Sequence, residues 1–367
     1  MPDPYVDALC NEITLRLNEQ KQKEAFEIKT IYFGGGTPSL LNQNQLKKIT
    51  GTLKDFAVAQ DCEFTFEVNP DDVTVELLRL LASCGVTRLS IGLQSFSDIV
   101  LKSIHRRADS AVNEAALSLI RENWKGIISA DLICGLPYET KQTMLSGLKK
   151  LVDNKIPHIS FYSLCVEEET PLGKMIMNNK LNYDQDFSDS LWLKGRDFLI
   201  KSGYIEYEVS NFCLPGYECR HNMTYWTHES YLGFGAGAAG TMYNKDGSAL
   251  RTTNTTELEK YICFWNSQLQ TAPIICENIT EETSRFEFFM MGLRLLKGVS
   301  LQHYKELFGT AAPQKILEIF NKLEQKGLCK IQKDSEQRAE GIVLTTQGML
   351  FLNQILVELS FAFNMES

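Results

Sequence analysis

No two cysteines in this sequence come closer than Cys213 and Cys219, six positions apart, so neither a CxxC nor a CxxxCxxC spacing occurs. The ten cysteines, at 10, 62, 84, 134, 165, 213, 219, 263, 276 and 329, outline no zinc ribbon and no disulfide framework of a small secreted domain. Most read as small buried apolar side chains in a reducing compartment. Positive charge is short as well. The 37 Lys and Arg stand against 46 Asp and Glu, a net charge of -9, which leaves no broad field to gather nucleic-acid phosphates. Nucleic acid is therefore not an expected partner. No run of about 18 apolar residues occurs, so no membrane-spanning segment is expected. The start, Met1-Pro2-Asp3-Pro4-Tyr5-Val6-Asp7, has neither the basic nor the apolar region of a secretory signal, and the expected location is the cytoplasm. Internal repeats and low-complexity tracts are absent too.

What is present is core-forming text. With 44% apolar residues over 367 positions, the chain supplies one α/β domain of about 200 to 250 residues and a smaller partner. Val6, Leu9, Cys10, Ile13 and Leu17 recur at helical spacing after a Pro- and Asp-containing entry, predicting an amphipathic first helix. Lys29 to Phe33 then reads as a strand stopped by Gly34-Gly35-Gly36. Phe64 to Val68, Arg88 to Leu93, Ile127 to Ile133, His158 to Leu164 and Ile205 to Val209 read as further strands. Between them lie helical patterns at Val75 to Cys84, Val112 to Asn123, Lys141 to Asp153 and Phe187 to Ser202. Strand and helix alternating at about 30-residue spacing predict βαβ units and a parallel sheet, better suited to a partial barrel than to a closed eightfold one.

From about Asn244 to Thr280 a polar, Asn/Thr-rich stretch breaks the rhythm, and helical periodicity dominates beyond it. Two domains, 1–245 and 246–367, follow from this. The second reads as mainly helical, closing on two short strands near Cys329-Lys330-Ile331 and Ile342-Val343-Leu344 in a winged-helix-like arrangement.

In a parallel α/β sheet the ligand site lies beyond the carboxyl ends of the strands. The first strand ends in Gly34-Gly35-Gly36-Thr37-Pro38, where absent side chains let backbone approach a ligand. Others end in Glu67-Val68-Asn69-Pro70, in Ser90-Ile91-Gly92-Leu93-Gln94-Ser95, and in Asp131-Leu132-Ile133-Cys134-Gly135. Each polar residue alone fits a satisfied buried group as well as a ligand contact. Their repetition on successive strands points to one shared polar ligand.

The segments IYFGGGTPSLL, FEVNP, RLSIGLQSF, DLICGLP, HISFYSL and EYEVSNFCLPGYECRHNMTYW, followed by YLGFGAGA, resemble the HemW family of heme chaperones, a branch of the radical S-adenosylmethionine proteins related to oxygen-independent coproporphyrinogen III oxidase. The resemblance covers nearly the whole chain. It implies a partial (βα)6-type radical-SAM barrel, α/β in class. It also implies S-adenosylmethionine held by Gly35, Gly36 and Thr37, by Glu67 at the ribose, and by Gln94, Arg106 and Asp131 around the same cavity. Arg106 follows Gln94 at the family's spacing, although the surrounding text, Ile104-His105-Arg106-Arg107-Ala108, departs from the usual form.

The HNxxYW match, His221, Asn222, Tyr225 and Trp226, implies heme binding and an unidentified heme-acceptor protein as partner. An imidazole can ligate iron, and two large aromatics can cover a porphyrin face, so His221 is the candidate iron ligand. Cys219, two residues away, offers a thiolate alternative, but nothing in the spacing prefers it.

The family's [4Fe-4S] cluster needs three thiolates in a CxxxCxxC loop, placed ahead of the helix that here begins near Tyr5. This chain starts after that loop, so the expected barrel lacks its first strand and the chain as given is expected to carry no cluster and no catalytic radical residue. A shortened start and a natural member without radical chemistry both fit. Three functions follow: a heme chaperone; a coproporphyrinogen III oxidase-like enzyme, which needs the cluster; and a cluster-free S-adenosylmethionine binder or methyltransferase.

Overall fold

A computed structural model of the protein describes residues 1–178, 181, 183–267 and 274–363. They form two compact units. One comprises Glu27–Thr50 and Ala57–Cys219; the other comprises Met1–Phe26, Gly51–Phe56 and the chain from Arg220 onward. The units part between Cys219 and Arg220, ahead of the division expected at 245, and the first helix, Asp3–Lys23, belongs with the later residues because it packs against the Leu258–Ser267 helix.

The first unit is built on β1 (Ile28–Phe33), β2 (Val58–Val68), β3 (Arg88–Gln94), β4 (Ile127–Cys134), β5 (His158–Ser163), β6 (Ile205–Glu208) and β7 (Asn211–Cys213). They make one sheet in the order β1-β2-β3-β4-β5-β7-β6. Strands β1 to β5 pair in parallel, and β7 lies antiparallel to both β5 and β6. All six expected strands are present. The seventh, only three residues long, wedges between the last two.

Helices Val75–Ser83, Ser110–Asn123, Lys141–Asp153 and Gln185–Lys201 begin where Thr74, Asp109, Thr140 and Asp184 accept a hydrogen bond from a first-turn N–H. Their apolar stripes bury one face of the sheet. Leu78, Leu81, Ile120, Leu148, Leu191 and Leu199 pack with Phe66, Leu89, Ile91, Ala130, Ile159 and Phe161 in one core.

The opposite face differs. Side-by-side residues of a parallel sheet point the same way, and the pairs there are Thr65 with Arg88, Glu67 with Ser90, Ser90 with Ser129, Gly92 with Asp131, Ser129 with His158, and Asp131 with Ser160. Parallel sheets usually read as apolar on both faces. A face this polar is the wall of a half-barrel prepared for something other than a packed helix.

The second unit is mainly helical over 246–367, as expected, and it also contains a three-stranded antiparallel sheet. Strands β8 (Ala239–Tyr243), β9 (Ala249–Asn254) and β10 (Ile274–Ile279) fall largely inside the polar stretch taken as a break. Cross-strand pairing satisfies their backbone without a regular apolar alternation. A smaller sheet of β11 (Val299–Ser300), β12 (Cys329–Lys333) and β13 (Ala339–Leu344), with helices Leu301–Phe308 and Gln314–Gln325, carries the two strands expected near the end. No helix among the described residues is long and apolar enough to cross a membrane.

One carboxylate ties the second unit together. Glu12, fully buried on the first helix, accepts from Arg16 at 2.8 Å, Asn254 at 2.7 Å, the Gly235 N–H at 2.9 Å and the Tyr261 hydroxyl at 2.5 Å. Arg16 in turn donates to the Gly233 carbonyl at 2.7 Å and lies over the Phe234 ring. This accounts for the YLGFGAGA segment: its backbone turns around an ion pair supplied by residues more than 200 positions earlier. Removing one partner of a buried, fully satisfied pair strands the others. Glu12→Ala is therefore expected to cost about 3 to 5 kcal/mol of this unit's stability, read by urea unfolding; an unchanged midpoint contradicts the assignment.

Candidate functional site

The polar face of the first unit gathers its charge at the carboxyl ends of β1 to β4. Glu67, at the end of β2, accepts from the Tyr32 hydroxyl at 2.8 Å and from the Gly35 N–H at 3.1 Å. Gly34 must be glycine here. A Cβ would meet the Tyr32 ring at 2.4 Å and the Glu67 carboxylate at 2.6 Å. Gly35 and Gly36 follow with φ of 75° and 60°, the left-handed region, and lead into a short turn that Thr37 opens by accepting from the Leu40 N–H at 3.1 Å. Thr37 is half-exposed in that turn, and no contact recorded for it reaches Glu67.

Asp131 accepts from the Ser90 hydroxyl at 3.2 and 3.1 Å. Burial raises its carboxyl to about 6, against the hydrogen bonds of Ser160 and Ser90, and the Glu67 charge pushes the same way. Tyr162, next on the same face of β5, is pushed up to about 12 by burial and then by Asp131 and Glu67. Tyr32 moves up as well, through burial, Glu67 and Asp131. These groups thus share one acidic neighbourhood.

Arg106 borders it. Its guanidinium donates to the Gly92 carbonyl at 2.5 Å and to Asn69 Oδ1 at 3.2 Å, and burial pulls it down from its ordinary value. Gln94 closes the group from a bulge in β3, where the pairing slips between Gly92 and Gln94 and the backbone turns to φ 64°. Gly92 makes room for it, since a Cβ there would lie 2.8 Å from the Gln94 amide nitrogen. The Gln94 side-chain oxygen is buried with no hydrogen-bond partner among the described residues. An orphaned acceptor, two carboxyls and two phenols suit a polar ligand rich in hydroxyl and amino groups, which S-adenosylmethionine is.

The expected residues Gly35, Glu67, Gln94, Arg106 and Asp131 therefore meet along one wall. Tyr32, Tyr162, Asn69 and Ser160 join them without having been read as site residues. Tyr32 keeps phase with Thr30, and Tyr162 with His158 and Ser160, so strict alternation along β1 and β5 carried the signal. For a [4Fe-4S] cluster the chain offers less. Among the described residues no group of three His, Cys, Asp or Glu side chains is placed to hold a metal ion, and Cys10 is buried within the first helix.

In the second unit, His221, Asn222, Tyr225 and Trp226 lie on the helix Arg220–Trp226, none of whose residues is buried. His221 Nε2 and the Tyr225 hydroxyl, one turn apart, are 2.8 Å from each other. Tyr225 meets Tyr231 edge to face, with ring centres 4.7 Å apart. Asn222 is half-exposed. Trp226 sits under the Arg294 guanidinium at 5.8 Å, and its indole N–H is buried without a partner among the described residues. Cys219, in the first unit, is buried and donates to Glu63 at 3.3 Å, which leaves the half-exposed His221 as the accessible ligand of the two.

The Asp131 carboxyl yields a pH test. Its folded-state value lies above the ordinary 3.8, so folding is penalised once the group ionises: the penalty is absent below about 3.8, grows up to about 6 and is constant above. Asp131→Asn should stabilise this unit at pH 8, by roughly 2 kcal/mol, and lose the advantage at pH 4. Thermal unfolding at both values checks this; a gain independent of pH counts against it.

Comparison with known proteins places the chain. A family model for the radical SAM superfamily matches residues 7–151, and one for the HemN C-terminal domain matches residues 279–351. The heme chaperone HemW of Bacillus subtilis is 32% identical across 96% of this chain and 90% of its own length. The Lactococcus lactis protein of the same name is 33% identical across 83% of this chain and 77% of its own, and that of Escherichia coli 31% across 96% and 89%. The solved structure of Escherichia coli coproporphyrinogen III oxidase (HemN), a radical SAM enzyme, superposes with a TM-score of 0.79 over 97% of this chain and 82% of its own, at 22% identity, a likeness of fold. On relatives above 30% identical along nearly its full length, the protein belongs to the HemW family of the radical SAM superfamily.

Proposed function

We propose that the protein is a heme carrier, binding heme at the Arg220–Trp226 helix and passing it to an acceptor protein. The observation that carries this is the half-exposed His221 on a short helix without a buried residue, with two aromatic side chains within its last two turns. Imidazole supplies a ligand for ferric iron, and the rings of Tyr225 and Trp226 supply apolar area for a macrocycle that water solvates poorly. The Arg294 guanidinium over Trp226 adds a cation suited to a propionate. Hemin titration should give a Soret shift that His221→Ala weakens at least tenfold and Cys219→Ala leaves in place. Indifference of the unaltered protein to hemin ends this reading.

The polar wall of the half-barrel supports a second ligand, S-adenosylmethionine, with Glu67 at the ribose hydroxyls and Gly35, Gly36, Thr37, Gln94, Arg106 and Asp131 around it. The acidic neighbourhood of Glu67 and Asp131 favours the sulfonium and ammonium charges of that molecule. Bound with a cluster, the cofactor supplies one-electron cleavage chemistry; this chain's own residues bind and orient. The oxidase alternative has less support, since relatives above 30% identical are named heme chaperones while the oxidase structure shares 22% identity. Saturating S-adenosylmethionine is expected to raise the unfolding midpoint by about 2 °C or more. Glu67→Ala should abolish the rise; an equal rise in the variant removes Glu67 from the site.

A further inference from the structure

We propose that Tyr225 is a built-in competitor for the imidazole of His221, holding the nitrogen that heme iron would take and so keeping heme binding weak enough to reverse. This inference rests on the heme-carrier reading and sharpens it. The geometry is local. His221 and Tyr225 are four residues apart on one helix, and the hydroxyl reaches Nε2 at 2.8 Å. Whichever tautomer is present, Nε2 is engaged: either the phenol donates to its lone pair or its N–H is given to the phenol oxygen.

Two contacts keep the phenol in place. Its ring stands at 89° to the imidazole, with centres 5.3 Å apart, and it also meets the Tyr231 ring edge to face at 4.7 Å. A side chain held by contacts with two neighbouring rings competes at lower entropic cost than a loose one.

Coordination is then an exchange. The hydrogen bond between Nε2 and the phenol breaks, the Nε2 lone pair forms the bond to ferric iron, the imidazole proton resides on Nδ1, and no electron is transferred. Release is the same exchange reversed, with the hydroxyl returning to Nε2 as iron departs. A carrier has to part with its cargo, and an internal competitor lowers affinity without removing the ligand. Trading a protein hydrogen bond of ordinary strength against the new bond corresponds to a factor of roughly two to ten in affinity.

The test compares the full chain with Tyr225→Phe, His221→Ala and the double variant, by hemin titration at the Soret band and by the rate of hemin loss to apomyoglobin. Phenylalanine keeps the ring and its contact with Tyr231 and removes only the hydroxyl. The expected result is hemin binding roughly two- to tenfold tighter in Tyr225→Phe, with loss to apomyoglobin slowed by a similar factor. In the His221→Ala background the same change should have no effect, which a merely structural role for the hydroxyl would not produce. If the unaltered protein binds hemin and Tyr225→Phe binds equally well, the competitor idea is overturned alone. Weaker binding also overturns it, because the phenol would then be an iron ligand itself. If the unaltered protein ignores hemin, the carrier reading falls and takes this one with it.

Discussion

Strands β2 to β5 obey a two-residue alternation in which every second side chain is apolar and faces helices while the intervening ones are polar. That constraint shapes the first unit. Phe66, Leu89, Ala130 and Ile159 can enter one shared core only because Glu67, Ser90, Asp131 and Ser160 are turned the other way. A slip of one residue in any of these strands would turn polar groups, in β2 and β4 carboxylates, under the helices and expose the core. The hydrophobic requirement of one face therefore fixes the chemical groups presented by the other, and the site comes into being as the counterpart of the core.

Much of this was legible in the sequence because the two periodicities are strong there. Strands at Arg88 to Gln94 and Ile127 to Cys134, and the helices at Val75–Ser83, Ser110–Asn123 and Lys141–Asp153, stand close to where the apolar spacing put them. What escaped had a physical reason. Strands β8 to β10 are largely half-exposed or exposed and mix apolar with polar residues out of step with a two-residue period, so they depend on backbone pairing and leave no alternating apolar trace. Strand β7 is three residues long. The division between the units was placed late, because the partners of the first helix lie more than 200 positions away, beyond any local pattern.

The site was legible to a similar degree. Glu67 and Asp131 stand out at strand tips, while Tyr32 and Tyr162 reach the same polar face only through the two-residue phase of β1 and β5. Gln94 is a separate case. Its orientation comes from a bulge and a left-handed backbone angle, and no pattern of residue types announces either. Functional positions commonly break the local rules that make the remainder readable. The HNMTYW segment shows the limit from the other side, since its residue types suggest an iron ligand but do not reveal that a phenol already engages the nitrogen.

The Glu12 knot bears on the order in which the molecule is assembled. Its four donors come from Arg16, Gly235, Asn254 and Tyr261, so the carboxylate is satisfied only when positions 12 and 261 coexist on the same chain. During synthesis the first helix leaves the ribosome early and must wait with a charged group on its otherwise apolar flank, while the intervening residues 27–219 emerge and can form their sheet. Long loop closure of this kind slows the final step, which waits for the last third of the protein.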